Sequence, residues 1–246
     1  SIHPAKLVKS MIHLVHKKGG LIFDKTTFKK SERNGKKFNI VTNKGLVKSN
    51  HLIIAANAYT DKNIPWLRKK LIPVISEMIS TCEIGNNRVT SWMPKLTTFG
   101  EALNLFYYFR PSPDGKRILI GGRRVRYNNE NPTNKLKSGL LEIFPGLNDI
   151  EISNHWYGFV TFPVDQIPKL VMHEGIIYAA GYCGSGTVWS RWFGKKAAEI
   201  ILNFEHKSAF YNIPIRKIPF YNWYPWFVPV AINYFKMQDW WINSRE

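Results

Sequence analysis

The densest group of residues able to do chemistry is Gly181-Tyr182-Cys183-Gly184-Ser185-Gly186-Thr187. Glycines at 181, 184 and 186 let a ligand approach the backbone closely. The loop follows a short apolar run at 176–180 and opens a helix pattern. In that pattern Trp189, Phe193, Ala197, Ile201 and Phe204 fall on or near one face. A strand, a glycine-rich loop and a helix start form an anion-binding device. The first N–H groups of a helix have no internal acceptor, and the helix dipole adds positive charge there. The same glycines would equally serve a turn that only packs strand on helix. The loop is no P-loop, since no Gly-Lys-Ser/Thr follows, and G-x-G-x-x-G occurs nowhere in the chain. Cys183 lies in the loop without a neighbouring His in sequence, so it is not expected to be a nucleophile.

Positioning that loop needs a scaffold. Behind Pro4, with His3 at the cap, Leu7, Val8, Met11, Ile12 and Val15 recur at helical spacing, and Gly19-Gly20 ends the pattern. Short strands are expected at 21–23, 37–42, 46–48 and 51–56, with a loop at 31–35 and a turn at Asn43-Lys44-Gly45. The run 52–56 is apolar throughout, as in a strand covered on both faces. From 71 to 160 the pattern is β-rich, with strands expected at 79–84, 105–110, 117–121 and 151–160. A turn is expected at 111–115. A helix at 135–144 stops at Pro145-Gly146. The tail carries no charge from Ile218 to Phe235, but Pro219, Pro225 and Pro229 prevent one spanning helix. Residues 229–242 could form an amphipathic helix touching a membrane or a partner, or pack back onto the domain.

Composition narrows the function classes. The 246 residues are 44% hydrophobic and 14% aromatic, enough for a core, which excludes a disordered or fibrous chain. Two cysteines exclude a disulfide scaffold and a Cys-rich zinc fold. The net charge of +18 raises nucleic acid as a partner. The charge is dispersed and lysine-rich, however, and lysine is the weaker choice for bidentate contacts. Nucleic acid is therefore not the expected partner. Ser1-Ile2-His3-Pro4 shows neither a basic n-region nor an apolar h-region, so a cytoplasmic location is expected.

Several segments, in order, resemble one family. The stretch GYCGSGTVWSRWFGKKAAEII at 181–201 looks like the C-terminal flavin-contacting motif of the D-amino-acid oxidase-like FAD-dependent oxidoreductases. SIHPAKLVKSM, HLIIAANAYTD, LFYYFRPSPDGKRILIGGR and HWYGFVTFPVDQIPKL match other family segments. FYNWYPWFVPVAINYFKMQDW resembles the tail of the glutamylputrescine-oxidase-like branch. The resemblance implies a mixed α/β fold: an incomplete Rossmann-like FAD-binding domain with an antiparallel-sheet substrate domain. Residues 1–70 and 161–205 would belong to the first, 71–160 to the second, and 206–246 would be an aromatic-rich tail. It implies oxidation of a C–N bond of an amine or amino acid by hydride transfer to noncovalent FAD, with oxygen or another acceptor completing the cycle. No catalytic side chain and no metal are implied. The family's N-terminal βαβ unit with G-x-G-x-x-G has no counterpart here. The chain is thus expected to be the C-terminal two-thirds of a longer enzyme, inactive alone. Two alternatives stay open: a split or non-catalytic subunit completed by a partner chain, or a basic protein binding nucleic acid or a membrane surface.

The resemblance also distributes roles. Gly181, Tyr182, Cys183, Gly184, Ser185, Gly186 and Thr187 would contact the flavin. Ala55, Ala56 and Asn57 would let a strand end approach the pyrophosphate, or would simply pack closely. Tyr108, Arg110 and Trp156 are the substrate-side candidates, with core packing or an exposed strand end as their other readings. Many amino-acid oxidases of the family place a carboxylate-clamping Arg where Val160 stands. A primary or secondary amine, or a polyamine conjugate, therefore fits better than a simple α-amino acid. The position of the covalent flavin cysteine of one branch falls at Gly158.

Overall fold

A computed structural model describes residues 2–95, 97–124, 131–204, 208–221 and 225–244. The elements, in chain order, are α1 (Pro4–Lys17), β1 (Phe28–Asn34), β2 (Lys37–Thr42), β3 (Leu46–Ser49), β4 (Leu52–Ile54) and α2 (Pro65–Arg68). They continue with β5 (Ile72–Thr81), α3 (Asn86–Trp92), β6 (Phe99–Gly100), β7 (Tyr108–Pro111), β8 (Ile118–Arg124), α4 (Pro132–Ile143) and β9 (Ile152–Phe162). The last are β10 (Lys169–His173), β11 (Ile176–Ala180), α5 (Gly186–Ile201) and α6 (Val228–Asn243). The chain divides into two compact units. One holds residues 2–73 and 160–224, the other 74–159 and 225–246. The stretch 206–246, treated above as one tail, is thus shared between them.

The first unit is built around β11. All five of its residues are buried. Ile176, Tyr178 and Ala180 face one cluster with Phe38, Ile54, Leu67, Leu71 and Val171. Ile177 and Ala179 face the other way, onto Leu170, Tyr182, Phe193, Ala197 and Ile200. Alternation along an extended strand produces this division, and an apolar run is what a two-sided core requires. The strand order is β10-β11-β4, antiparallel then parallel.

Three expectations are corrected in this unit. Residues 21–23 form no strand, and Leu21 and Phe23 are exposed. The first strand of the meander β1-β2-β3 is instead the polar run FKKSERN, which includes most of the expected loop at 31–35. Its pairing with β2, Ser31 opposite Ile40 and Arg33 opposite Phe38, holds it without an apolar face. Finally, the apolar run 52–56 is not covered on both sides. Only 52–54 is strand, it is the outer strand of its sheet, and Ile53 is 41% exposed. The helix α1 forms as expected, with His3 Nδ1 accepting from the Lys6 N–H, yet none of its residues is buried.

The second unit is an antiparallel sheet of order β6-β7-β8-β5-β9. Ile79, Ile118 and Ile120 on one face pack against Val89 and Met93 of the α3 segment and Leu136 and Leu140 of α4. Tyr108's ring lies over Gly121, where an added methyl would collide with it. Among the described residues no helix is long and apolar enough to cross a membrane.

Candidate functional site

The glycine loop begins where β11 ends, and the backbone turns sharply there. Gly181, Cys183 and Gly184 have φ of +77°, +52° and +94°. Glycine adopts such values freely, whereas Cys183 must be held in place. Its N–H donates to Thr161 O at 3.0 Å. Its thiol lies 3.4 Å from Gln166 O and 3.3 Å from Gly181 O.

The central clamp is Asn57, itself at φ +44° in a 3₁₀ turn behind β4. Its Oδ1 accepts from Thr161 Oγ1 at 2.6 Å and from the Gly181 N–H at 2.9 Å. One amide oxygen thus ties together the ends of β4, β9 and β11. Ala55 is exposed at this junction, and Ala56 is half-buried. The resemblance set Asn57, with Ala55 and Ala56, where a strand end would approach the pyrophosphate; its side-chain oxygen is engaged by Thr161 and Gly181.

Beyond the clamp, Tyr182 turns into the core against Phe193, and burial pushes its hydroxyl up to about 12. Only its backbone stays with the loop, accepting from the Ser185 N–H at 2.9 Å. Helix α5 then starts at Gly186. Ser185 makes no side-chain cap and the first turn carries no acid. The N–H groups of Gly186 and Thr187 therefore have no intrahelical acceptors, at the positive end of the helix. Gly184, Ser185, Thr187 and Val188 are exposed around them. An added Cβ at Gly184 would meet nothing within 4 Å, so the backbone there is open to an approaching group.

Two residues that support the loop escaped the sequence reading. Thr161 is buried and carries both contacts described above. Lys169 is fully buried on β10 and ion-paired with Asp165 at 2.5 Å. Burial pushes the Asp165 carboxyl up, but hydrogen bonds from Lys169 and the Ile167 N–H outweigh it, leaving it below the usual carboxylate range. The spacing Asp165 to Lys169 was the available signal, but a lysine in a turn-like stretch reads as solvated.

The substrate-side candidates all lie in the other unit. Tyr108 and Arg110 share one face of β7. The Tyr108 hydroxyl is 2.5 Å from Ser76 Oγ, and burial raises its pKa despite that bond. Arg110 is half-buried with no carboxylate partner among the described residues. Trp156 is 41% exposed on β9. Two strands lie between β7 and β9, so Trp156 is about 14 Å across the sheet from the other two. The structure brings Tyr108 and Arg110 together and leaves Trp156 apart. His155 Nε2 faces the buried Glu77 carboxylate at 3.7 Å on the same sheet. Among the described residues no cluster of His, Cys, Asp or Glu could hold a metal.

Residues 1–200 match the family model described as DAO, FAD dependent oxidoreductase. The chain belongs to this family. It is 31% identical over 210 residues to a probable oxidoreductase, OrdL, of Rhizobium meliloti (strain 1021), covering 82% of this chain and 47% of that protein. It is 27% identical over 224 residues to gamma-glutamylputrescine oxidoreductase of Escherichia coli (strain K12), covering 89% of this chain and 52% of that one. The chain therefore spans about half the length of the curated relatives it matches. Glycine oxidase of Geobacillus kaustophilus shares the fold at TM-score 0.64 and 19% identity, over 83% of this chain and 55% of that one. These relatives agree with the D-amino-acid oxidase-like resemblance and its glutamylputrescine-oxidase-like branch, and the family's cofactor is FAD. The residues present fit one end of that group: an open, uncapped helix start beside a glycine whose missing Cβ leaves space.

Proposed function

We propose that this chain forms the substrate-side sheet and the flavin-loop side of an FAD-dependent oxidoreductase acting on the C–N bond of an amine or amino-acid-like substrate. The observation that carries the reading is the uncapped start of α5, held behind the buried β11 by Asn57 in a chain of this family. FAD would supply the hydride acceptor. The chain's own residues would bind and orient. Backbone N–H groups at 186 and 187 would face the part of the cofactor that gains negative charge, a dipole effect of roughly 0.3–2 kcal/mol. Tyr108 and Arg110 would fix polar groups of the substrate. Val160, apolar where the resemblance puts a carboxylate clamp, favours an amine or polyamine conjugate, and the glutamylputrescine relative supports that class.

We further propose that the rest of the cofactor site comes from residues outside these 246, on the same polypeptide or on a partner. The apolar residues Val8, Met11, Ile12, Leu14 and Val15 of α1 are all more than 40% exposed, and β4 has an open edge. Both are surfaces that a further strand–helix layer would cover. The test is to extend the coding sequence upstream of Ser1 and express the longer product. It should retain flavin absorbance that bleaches when an amine is added without oxygen. A longer product that contains no flavin would sink the reading.

A further inference from the structure

The helix α6 leaves much of its apolar surface exposed. On its inward side Asp239 is buried, and Ala231, Ile232 and Phe235 are half-buried. The Asp239 carboxylate accepts from the Asn104 N–H at 2.9 Å, from Asn104 Nδ2 at 2.8 Å and from the Leu105 N–H at 3.0 Å. On the outward side stand Val230, Tyr234, Met237 and Trp241, exposed by 67%, 52%, 60% and 52%. At 3.6 residues per turn these four fall within an arc of about 60°, and Asp239 lies opposite its centre. Trp240, 69% exposed, flanks the stripe. The helix carries two charged residues, Lys236 and Asp239. Asp239 points inward, and Lys236, though exposed, lies about 130° round the helix from the centre of the stripe, so the stripe itself carries no formal charge.

We propose that this face is a docking surface for an anionic lipid bilayer, on which α6 lies flat. Tryptophan and tyrosine on an apolar stripe are the side chains that settle at the headgroup level. With 16 residues, about 24 Å, the helix is too short to span a hydrocarbon core of about 30 Å. Charge selects the occupant. The chain carries +18, so a second copy is repelled while a negatively charged leaflet attracts it. The inference goes beyond the redox reading and does not depend on bound flavin.

The test is co-sedimentation of the purified chain with vesicles of phosphatidylcholine alone and of phosphatidylcholine with phosphatidylglycerol. Binding should be much stronger to the second. Met237→Glu should weaken it at least about tenfold, as expected when an apolar side chain can no longer be buried. Leu46→Glu changes charge equally on the exposed strand β3 of the other unit and should behave almost as wild type. Thermal unfolding checks that each variant is folded, with Trp240→Ser as a second probe of the stripe. Equal losses for Met237→Glu and Leu46→Glu would reduce the effect to overall charge and overturn the proposal. So would a dimer, dissolved by Met237→Glu, in a chain that ignores vesicles.

Discussion

Asn57 shows how much of this site one atom can hold. Its Oδ1 accepts from Thr161 and from the buried Gly181, residues 104 and 124 positions away. Asn57→Ala leaves both donors unpaired, a loss of about 1–3 kcal/mol, or about 2–12 °C in melting temperature for a chain of this length. Asn57→Asp keeps an acceptor at the same place and should melt close to wild type. Equal melting of the alanine variant would show that the clamp is dispensable. The loop glycines separate in the same way. A Cβ at Gly181 would sit 2.8 Å from Pro163 Cγ, on top of the strain of φ +77°. A Cβ at Gly184 meets only open space and adds strain alone, about 1–2 kcal/mol. Gly181→Ala should therefore destabilise the fold well beyond Gly184→Ala. Gly184→Ala should instead lower flavin retention in the complete enzyme, because its methyl would occupy the space proposed for the cofactor. A Gly184→Ala protein with full flavin content would count against that placement.

At the scale of elements, Asp239 ties α6 to the residues ahead of β7. Three hydrogen bonds from Asn104 and Leu105 outweigh the burial that pushes the carboxyl up, so its pKa lies below the ordinary value of 3.8. Stability from this group is present above that ordinary pH and is lost as pH falls through the depressed value. Asp239→Ala should cost about 1–3 kcal/mol and make the segment after residue 225 more open to limited proteolysis at neutral pH. Unchanged proteolysis would mean that other contacts hold the helix. The elements also show what a sequence reveals. The strand β11 and the helix α5 were legible because an apolar run and a 3.6-residue repeat meet at glycines. The strand β1 was not, because FKKSERN has polar residues on both faces and its place comes from pairing with β2 and from Phe28 packing on the core. The loop was legible as the link between a strand and a helix, but Asn57 and Thr161 were not legible as its clamp, because no local pattern encodes a bond spanning 104 residues. Lys169 was missed for a related reason: its burial is tolerable only because Asp165 accompanies it.

For the molecule as a whole, the surplus of positive charge makes alkaline stability the informative curve. Self-repulsion of a +18 chain relaxes as pH approaches the pI of 9.9, which favours the folded state. Lys70 adds a sharper effect of the same sign. Burial first, and Lys217 second, lower its pKa from 10.5 to about 8, although its ammonium lies 3.4 Å from the centre of the Trp66 ring. Between pH 8 and 10 the unfolded chain holds a proton that the folded chain has released, so stability rises with pH. Tyr178, Tyr182 and Tyr221 act in reverse. Burial pushes each from 10 to about 12, so between those values the folded chain keeps protons that the unfolded chain loses, and stability falls. Denaturant midpoints should climb from pH 8 to 10 and then decline. In Lys70→Met the climb should shrink to the part that general repulsion supplies, while the decline above pH 10 is unchanged. An identical climb in the variant would remove Lys70 as its cause. A missing decline would show that the three tyrosines ionise as freely folded as unfolded.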